Sequence, residues 1–250
     1  MSFFLRGSKW KKLREKITPT FTSAKMKQLF TTVLDVGQSL QQYLVPFGAH
    51  SEDIDVRDIL ARFMTDVIAT CAFGLETNSL TNPTSKFREM GKKMINFPKT
   101  KALKLIFAST FQQQATLLGI RWNDKEVSDF FMQIVKETIE YREQSGHRRN
   151  DFMQLLIDMK KENSIDMDEE ADEDALTFEE IAAHAFVFFF AGFETSSTTL
   201  TFALHLLAHN QDIQRKARES IRNVLIKHNG IWCYEAIMEM KYIEQIIEGN

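Results

Sequence analysis

A long apolar stretch in the second half of the chain constrains the fold most strongly. The region from Phe178 to His209 contains no proline, and its central run from Ile181 to Phe193 is apolar except for His184. A helix that is apolar on most of its faces is typical of the buried interior of a helical protein. Thr177 and Glu180, three residues apart, form a capping-box pattern at the start of this region. We therefore predict one long buried helix from Phe178 to His209.

The rest of the chain also shows helical periodicity. Apolar side chains recur every three or four residues, and only 4 prolines and 10 glycines interrupt 250 residues. No segment alternates polar and apolar residues as a strand would. The predicted class is mainly α, with a helix ending before Pro46, an irregular segment at 96–123 and an acidic linker at about 163–175. Helices are predicted at 22–44, 55–73, 85–95, 124–143, 151–160, 178–209, 211–227 and 234–247.

Composition excludes several classes of function. The formal net charge of −3 gives no general attraction to nucleic acid. The longest apolar run has 13 residues, whereas a membrane-spanning helix needs roughly 20, so no span is predicted. Two cysteines, Cys71 and Cys233, do not make a disulfide framework. His205 and His209 are four residues apart, but no third ligand accompanies them, so no metal site is predicted.

Polar groups enter the long helix at Ala191-Gly192-Phe193-Glu194-Thr195-Ser196. Helical spacing puts Ala191, Gly192 and Thr195 on one stripe with Phe188, where the small side chains leave a groove. The Thr195 hydroxyl can donate to the Ala191 carbonyl, a bond that can bend or widen a helix. Glu194 can then exchange protons with solvent for the hydroxyl to deliver. The alternative is an ordinary core helix in which Glu194 faces water or an arginine.

A second pattern lies near the start of the chain. Trp10 and Arg14 are four residues apart and share one helical face. Together they can hold an anionic group carried by a flat apolar ligand. The alternative is a surface arginine whose stem covers the tryptophan ring.

Several segments, in this order and separation, resemble the cytochrome P450 family. The sequence from Ala191 to Ser196 fits the oxygen-binding helix motif of that family. The details are most similar to insect microsomal members that oxidise hydrophobic foreign compounds. The other matching segments are 3–22, 62–74, 205–218 and 234–247.

The resemblance implies a role for each residue that the motifs contain. Trp10 and Arg14 would contact a propionate of haem b. Ala191 and Gly192 would flank the dioxygen site, where Thr195 would donate protons supplied through Glu194. The substrate would face the segment 96–120 and three aromatic side chains, namely Phe186, Phe189 and Phe190.

The resemblance also implies an activity and its partners. A haem-thiolate monooxygenase inserts one oxygen atom from O2 into a hydrophobic small molecule. Electrons would come from NADPH–cytochrome P450 reductase at the endoplasmic reticulum membrane.

The resemblance finally predicts an incomplete domain over residues 1–250. It covers the helical portion of the family's fold, without the N-terminal sheet and anchor and without the C-terminal cysteine region. Neither Cys71 nor Cys233 lies in a glycine- and arginine-bearing loop like the one that holds the family's haem thiolate. We therefore expect the chain to be truncated and inactive alone. The alternative is a non-catalytic helical remnant that interacts with other proteins.

Overall fold

The computed structural model of the chain is built from helices joined by short connections. It describes residues 11, 14–15, 17–50, 53–95, 99–118, 124–165 and 177–249, and these residues contain no strand. A 3₁₀ turn covers Thr18–Phe21. The α-helices described are α1 (Ser23–His50), α2 (Val56–Ile68), α3 (Lys86–Ile95), α4 (Lys99–Thr110), α5 (Gln112–Leu117), α6 (Lys125–Ser145), α7 (Phe152–Ile165), α8 (Phe178–His209), α9 (Gln211–Lys227), α10 (Tyr234–Glu239) and α11 (Lys241–Glu248).

Helix α8 forms the centre of the fold, and α2, α3, α6 and α7 pack around it. It has the predicted bounds and begins with a complete capping box. The backbone N–H of Glu180 donates to Thr177 Oγ1 at 3.2 Å, and the backbone N–H of Thr177 donates to Glu180 Oε2 at 3.0 Å. These bonds satisfy two backbone donors that have no partner inside the helix.

An aromatic cluster fills the interface between α8 and its neighbours. Phe189 is fully buried, and its ring lies edge-on to Phe87 with centroids 5.0 Å apart. Phe131 and Phe73 contact the same ring at 5.0 and 6.4 Å. Each such buried ring contributes roughly 1.5–3 kcal/mol relative to an exposed one. This aromatic cluster therefore packs α8 against its neighbours.

The prediction that the first long helix ends before Pro46 is wrong. Helix α1 continues through Pro46 to His50. Proline removes one backbone hydrogen bond, and its ring crowds the carbonyl of Gln42. Both residues are exposed, so water can reach that carbonyl and the interruption is tolerated.

Two further boundaries differ from the predictions. The segment predicted to be irregular contains α4 and α5. Some apolar residues of these helices are exposed, so their spacing does not mark a single buried face. The last predicted helix is divided at Met240, whose backbone does not adopt helical angles. Residues 163–165 of the predicted acidic linker belong to α7, and residues 166–175 lie outside the described residues. Within the described part of the chain, no helix combines the length and apolar character needed to span a membrane.

Candidate active site on helix α8

A cavity of about 690 Å³ lies between α8 and the first described residues of the chain. Its volume falls within the range of small-molecule sites. Its walls are mainly apolar, with polar groups from an arginine, a threonine and a histidine. The lining residues are Arg14, Ile17, Thr18, Phe21, Phe152, His184, Val187, Phe188, Ala191 and Gly192.

The cavity follows the stripe of α8 on which the small residues of the motif lie. Phe188 and Ala191 line it, and Thr195 lies one turn beyond Ala191. The Thr195 hydroxyl donates to the Ala191 carbonyl, as the sequence predicts. Contrary to the expectation of local widening, α8 remains a regular α-helix here. The wide π-type turn lies instead at Ala69–Phe73, after α2.

Glu194 points toward a different, charged cavity. One of its carboxylate oxygens lies 3.6 Å from Nη2 of Arg57, and 38% of its side chain is exposed. Arg57 and Glu194 line this second cavity of about 370 Å³ together with Asp58, Arg88 and Lys92. Glu194 therefore connects α8 to solvent on the side away from Phe188.

Gly192 allows α2 to approach α8 closely. A Cβ atom at this position would lie 2.5 Å from Cδ1 and 3.2 Å from Cγ1 of Ile68. Those distances are shorter than ordinary van der Waals contact, so the absence of a side chain is used for helix packing. Gly192 also borders the larger cavity, with Ala191 as its neighbour on that wall.

The three phenylalanines predicted to face substrate do not line the larger cavity. Phe186 and Phe189 are buried in the aromatic cluster, and Phe190 packs half-buried against the same core. The aromatic walls of the cavity come instead from Phe188, Phe21 and Phe152. Phe188 and Phe152 stack with centroids 4.7 Å apart.

The family model described as "Cytochrome P450" matches residues 1–248 of the chain. The chain belongs to the cytochrome P450 family. It is 46% identical over 248 residues to cytochrome P450 6a9 of Drosophila melanogaster, covering 98% of this chain and 48% of that protein. It is 45% identical over 246 residues to cytochrome P450 6A1 of Musca domestica, covering 97% of this chain and 47% of that protein. The chain thus spans about half the length of these curated relatives.

The features at the cavity fit the edge of the haem that the P450 family uses. Arg14, exposed at the rim, supplies a guanidinium group suited to a carboxylate, and the walls are suited to a flat apolar ring. Trp10, its predicted partner, lies outside the described residues. Neither Cys71 nor Cys233 borders the cavity. No group of three or more possible metal-ligating side chains occurs in the described part of this P450 chain.

His184 also lines the cavity, although no sequence motif marks its position. It lies eleven positions before Thr195, about three helical turns, and so occupies the same face of α8. His184 is 5% exposed, and its Nε2 makes no hydrogen bond within the described residues. Burial lowers the pKa of His184 to about 4, although the charge of Glu180 opposes the shift. The ring is therefore neutral at physiological pH.

This shift predicts a stability loss in mild acid. The unfolded chain binds a proton on His184 near the ordinary pKa of about 6.5, before the folded chain does. The contribution of the neutral His184 ring to the free energy of unfolding is complete above pH 6.5 and is lost as the pH falls toward 4. Between about pH 7.5 and pH 5, protonation of His184 in the unfolded chain should lower the free energy of unfolding by about 2 kcal/mol. In His184→Gln, this part of the pH dependence should be absent. Urea unfolding at both pH values measures this difference. His147→Gln, on an exposed histidine, serves as the control. Equal pH dependence in the His184 variant and the native chain would contradict the prediction.

Proposed function

We propose that this chain forms the oxygen-activating helical part of a haem-thiolate monooxygenase that oxidises hydrophobic small molecules. The observation that carries the proposal is the cavity along Phe188, Ala191 and Gly192, with Thr195 one turn beyond. Electrons would come from an NADPH-dependent reductase at the endoplasmic reticulum membrane. The resemblance of the sequence to insect microsomal members of the family supports this location.

The haem, when bound, supplies the chemistry that reduces dioxygen and transfers one of its atoms. The chain's own residues bind, exclude water and move protons. Arg14 would pair with a carboxylate of the group at the cavity rim. Phe188, Phe21 and Phe152 would exclude water from the apolar part of the site.

Proton movement would use the two sides of α8. Glu194, with Arg57 beside it, collects protons from solvent in the charged cavity. At rest, the Thr195 hydroxyl donates to Ala191. Rotation of that side chain would redirect the proton toward the larger cavity, while the hydroxyl oxygen accepts the next one. Such positioned proton transfer contributes to rate as general acid catalysis does.

A chimera tests the proposal. Residues 1–248 replace the matching segment of Musca domestica cytochrome P450 6A1, which is 45% identical. We expect the chimera to bind haem and to oxidise an apolar substrate with NADPH and reductase. Thr195→Val, which removes the hydroxyl, should lower product per NADPH on the order of tenfold or more and release hydrogen peroxide instead.

Thr195→Ser is the matched control, because it keeps the hydroxyl and should keep most of the coupling. Unchanged product per NADPH in Thr195→Val would contradict the assignment of Thr195 as the proton donor. The alternative, a non-catalytic fragment that binds other proteins, predicts a haem-bound chimera that forms no product.

A further inference from the structure

A cysteine, a histidine and a glutamate meet at the turn between α9 and α10, away from the α8 cavity. Cys233 Sγ lies 3.6 Å from Nδ1 of His228, and Nε2 of His228 lies 3.1 Å from Oε1 of Glu239. The connecting turn places Asn229 and Gly230 at positive φ angles of 54° and 76°, which brings the chain back over His228. The three side chains lie in the order nucleophile, base and carboxylate.

The geometry fixes which ring nitrogen can act as a base. If Nε2–H donates to the Glu239 carboxylate, Nδ1 carries the lone pair and faces the thiol. This is the arrangement in which histidine removes a proton from a neighbouring sulfur. Cys233 is only partly buried, so reagents can reach it.

We propose that Cys233 is a modification site that reacts with small disulfides, with His228 as its base and Glu239 as the residue that positions the base. The Sγ proton passes to His228 Nδ1, and Sγ attacks one sulfur of the disulfide. A new S–S bond forms as the original S–S bond breaks, and the leaving thiolate takes the proton from His228. The disulfide is the oxidant, and the products are a mixed disulfide and one thiol.

The charges around the thiol select the reagent. Lys27, on α1, forms an ion pair with Glu235, while Glu239 contacts His228. The set contains two carboxylates, Glu235 and Glu239, and one ammonium group, and Glu235 is also a hydrogen-bond partner of the Cys233 thiol. A cationic disulfide should therefore react faster than a neutral one of similar size.

The second cysteine is an internal control. Cys71 is 4% exposed in the main core, and burial together with the Asp151 charge raises the pKa of its thiol to about 11. A folded chain should therefore be modified at Cys233 and protected at Cys71. Reaction at Cys71 reports unfolding in any variant.

The experiment treats the full chain with cystamine, a cationic disulfide, and resolves both thiols by peptide mass spectrometry. At pH 7 we expect native Cys233 to react about tenfold faster than in the guanidinium-unfolded chain, and Cys71 at least 100-fold more slowly than Cys233. The ratio of the cystamine rate to the rate with neutral hydroxyethyl disulfide should be about threefold or more higher in the folded chain than in the unfolded chain, a comparison that cancels the different leaving thiols. Reaction of native Cys233 no faster than in the unfolded chain would overturn the proposal.

Variants separate the base from its positioning residue. His228→Gln should slow Cys233 about three- to tenfold at pH 7, with the difference narrowing at higher pH as hydroxide replaces the histidine base. Glu239→Gln keeps an oxygen acceptor for Nε2–H, so its rate should stay within about twofold of the native rate. Glu239→Ala removes that acceptor, so its rate should fall by more than about twofold. Glu244→Ala, which removes an exposed partner of Lys241, is the control. An unchanged rate and pH profile in His228→Gln, with Cys71 still protected, would refute the role of the base.

Discussion

Replacing Asp151 with asparagine is expected to lower the free energy of unfolding by about 3–5 kcal/mol. Asp151 and Arg142 are almost fully buried, with 3% and 4% of their side chains exposed. Two parallel bonds of 2.8 and 2.6 Å join them, and the backbone N–H of Gln154 donates to the same carboxylate at 2.9 Å. The substitution would leave a buried guanidinium charge without its counter-charge, which is the costly case.

The backbone at Gly74 packs closely against one side of this pair. Gly74 adopts a positive φ of 70° directly beside it, and a Cβ at that position would clash with both Arg142 and Asp151. The end of the π-type turn, α6 and the start of α7 therefore meet at one ion pair.

A matched substitution on α7 provides the control for this prediction. Asp158 pairs with Arg148 at 2.7 Å, but 66% of the arginine side chain is exposed. Asp158→Asn should therefore cost less than about 1 kcal/mol. Urea unfolding followed by circular dichroism measures both variants. Equal losses of unfolding free energy in the two variants would show that the buried pair stabilises the fold no more than the exposed one.

Local sequence patterns predicted most helices because each pattern depends on neighbouring residues. The capping box at Thr177 is a signal of this kind, and it appears in the structure. Pro46 misled the prediction because its effect depends on exposure, which the sequence does not show. The helices within 99–117 were missed because they expose apolar residues such as Leu103 and Leu117.

The candidate site was predicted only where its contacts are local. The bond from Thr195 to Ala191 spans one helical turn, so the motif alone predicts it. The pairing of Glu194 with Arg57 depends on how α2 meets α8, and the sequence showed only that an arginine was one possible partner. The contact of Cys233 with His228 depends on two positive φ angles in the intervening turn, which spacing alone does not reveal.

Adjacent phenylalanines on α8 should respond very differently to truncation. Phe189 is fully buried among Phe73, Phe87 and Phe131, so Phe189→Ala should lower the free energy of unfolding by about 3–5 kcal/mol. Phe188 is only half-buried and lines the larger cavity, so Phe188→Ala should cost about 1–2 kcal/mol, mainly from the lost stacking with Phe152.

Ligand binding separates the two roles further. In the haem-bound chimera, Phe188→Ala should change the Kd of an apolar ligand by about threefold or more, because it removes part of the wall that the haem and a bound ligand would share. Phe189→Ala should leave that Kd unchanged once the folded fraction is accounted for. Urea unfolding and spectral titration provide the two measurements. The reverse pattern, a stable Phe189→Ala variant with altered ligand affinity, would support the sequence-based expectation that Phe189 faces substrate. One helical step of about 100° separates the two side chains. The neighbours that the π-type turn, α3 and α6 supply to Phe189 decide which ring packs the core.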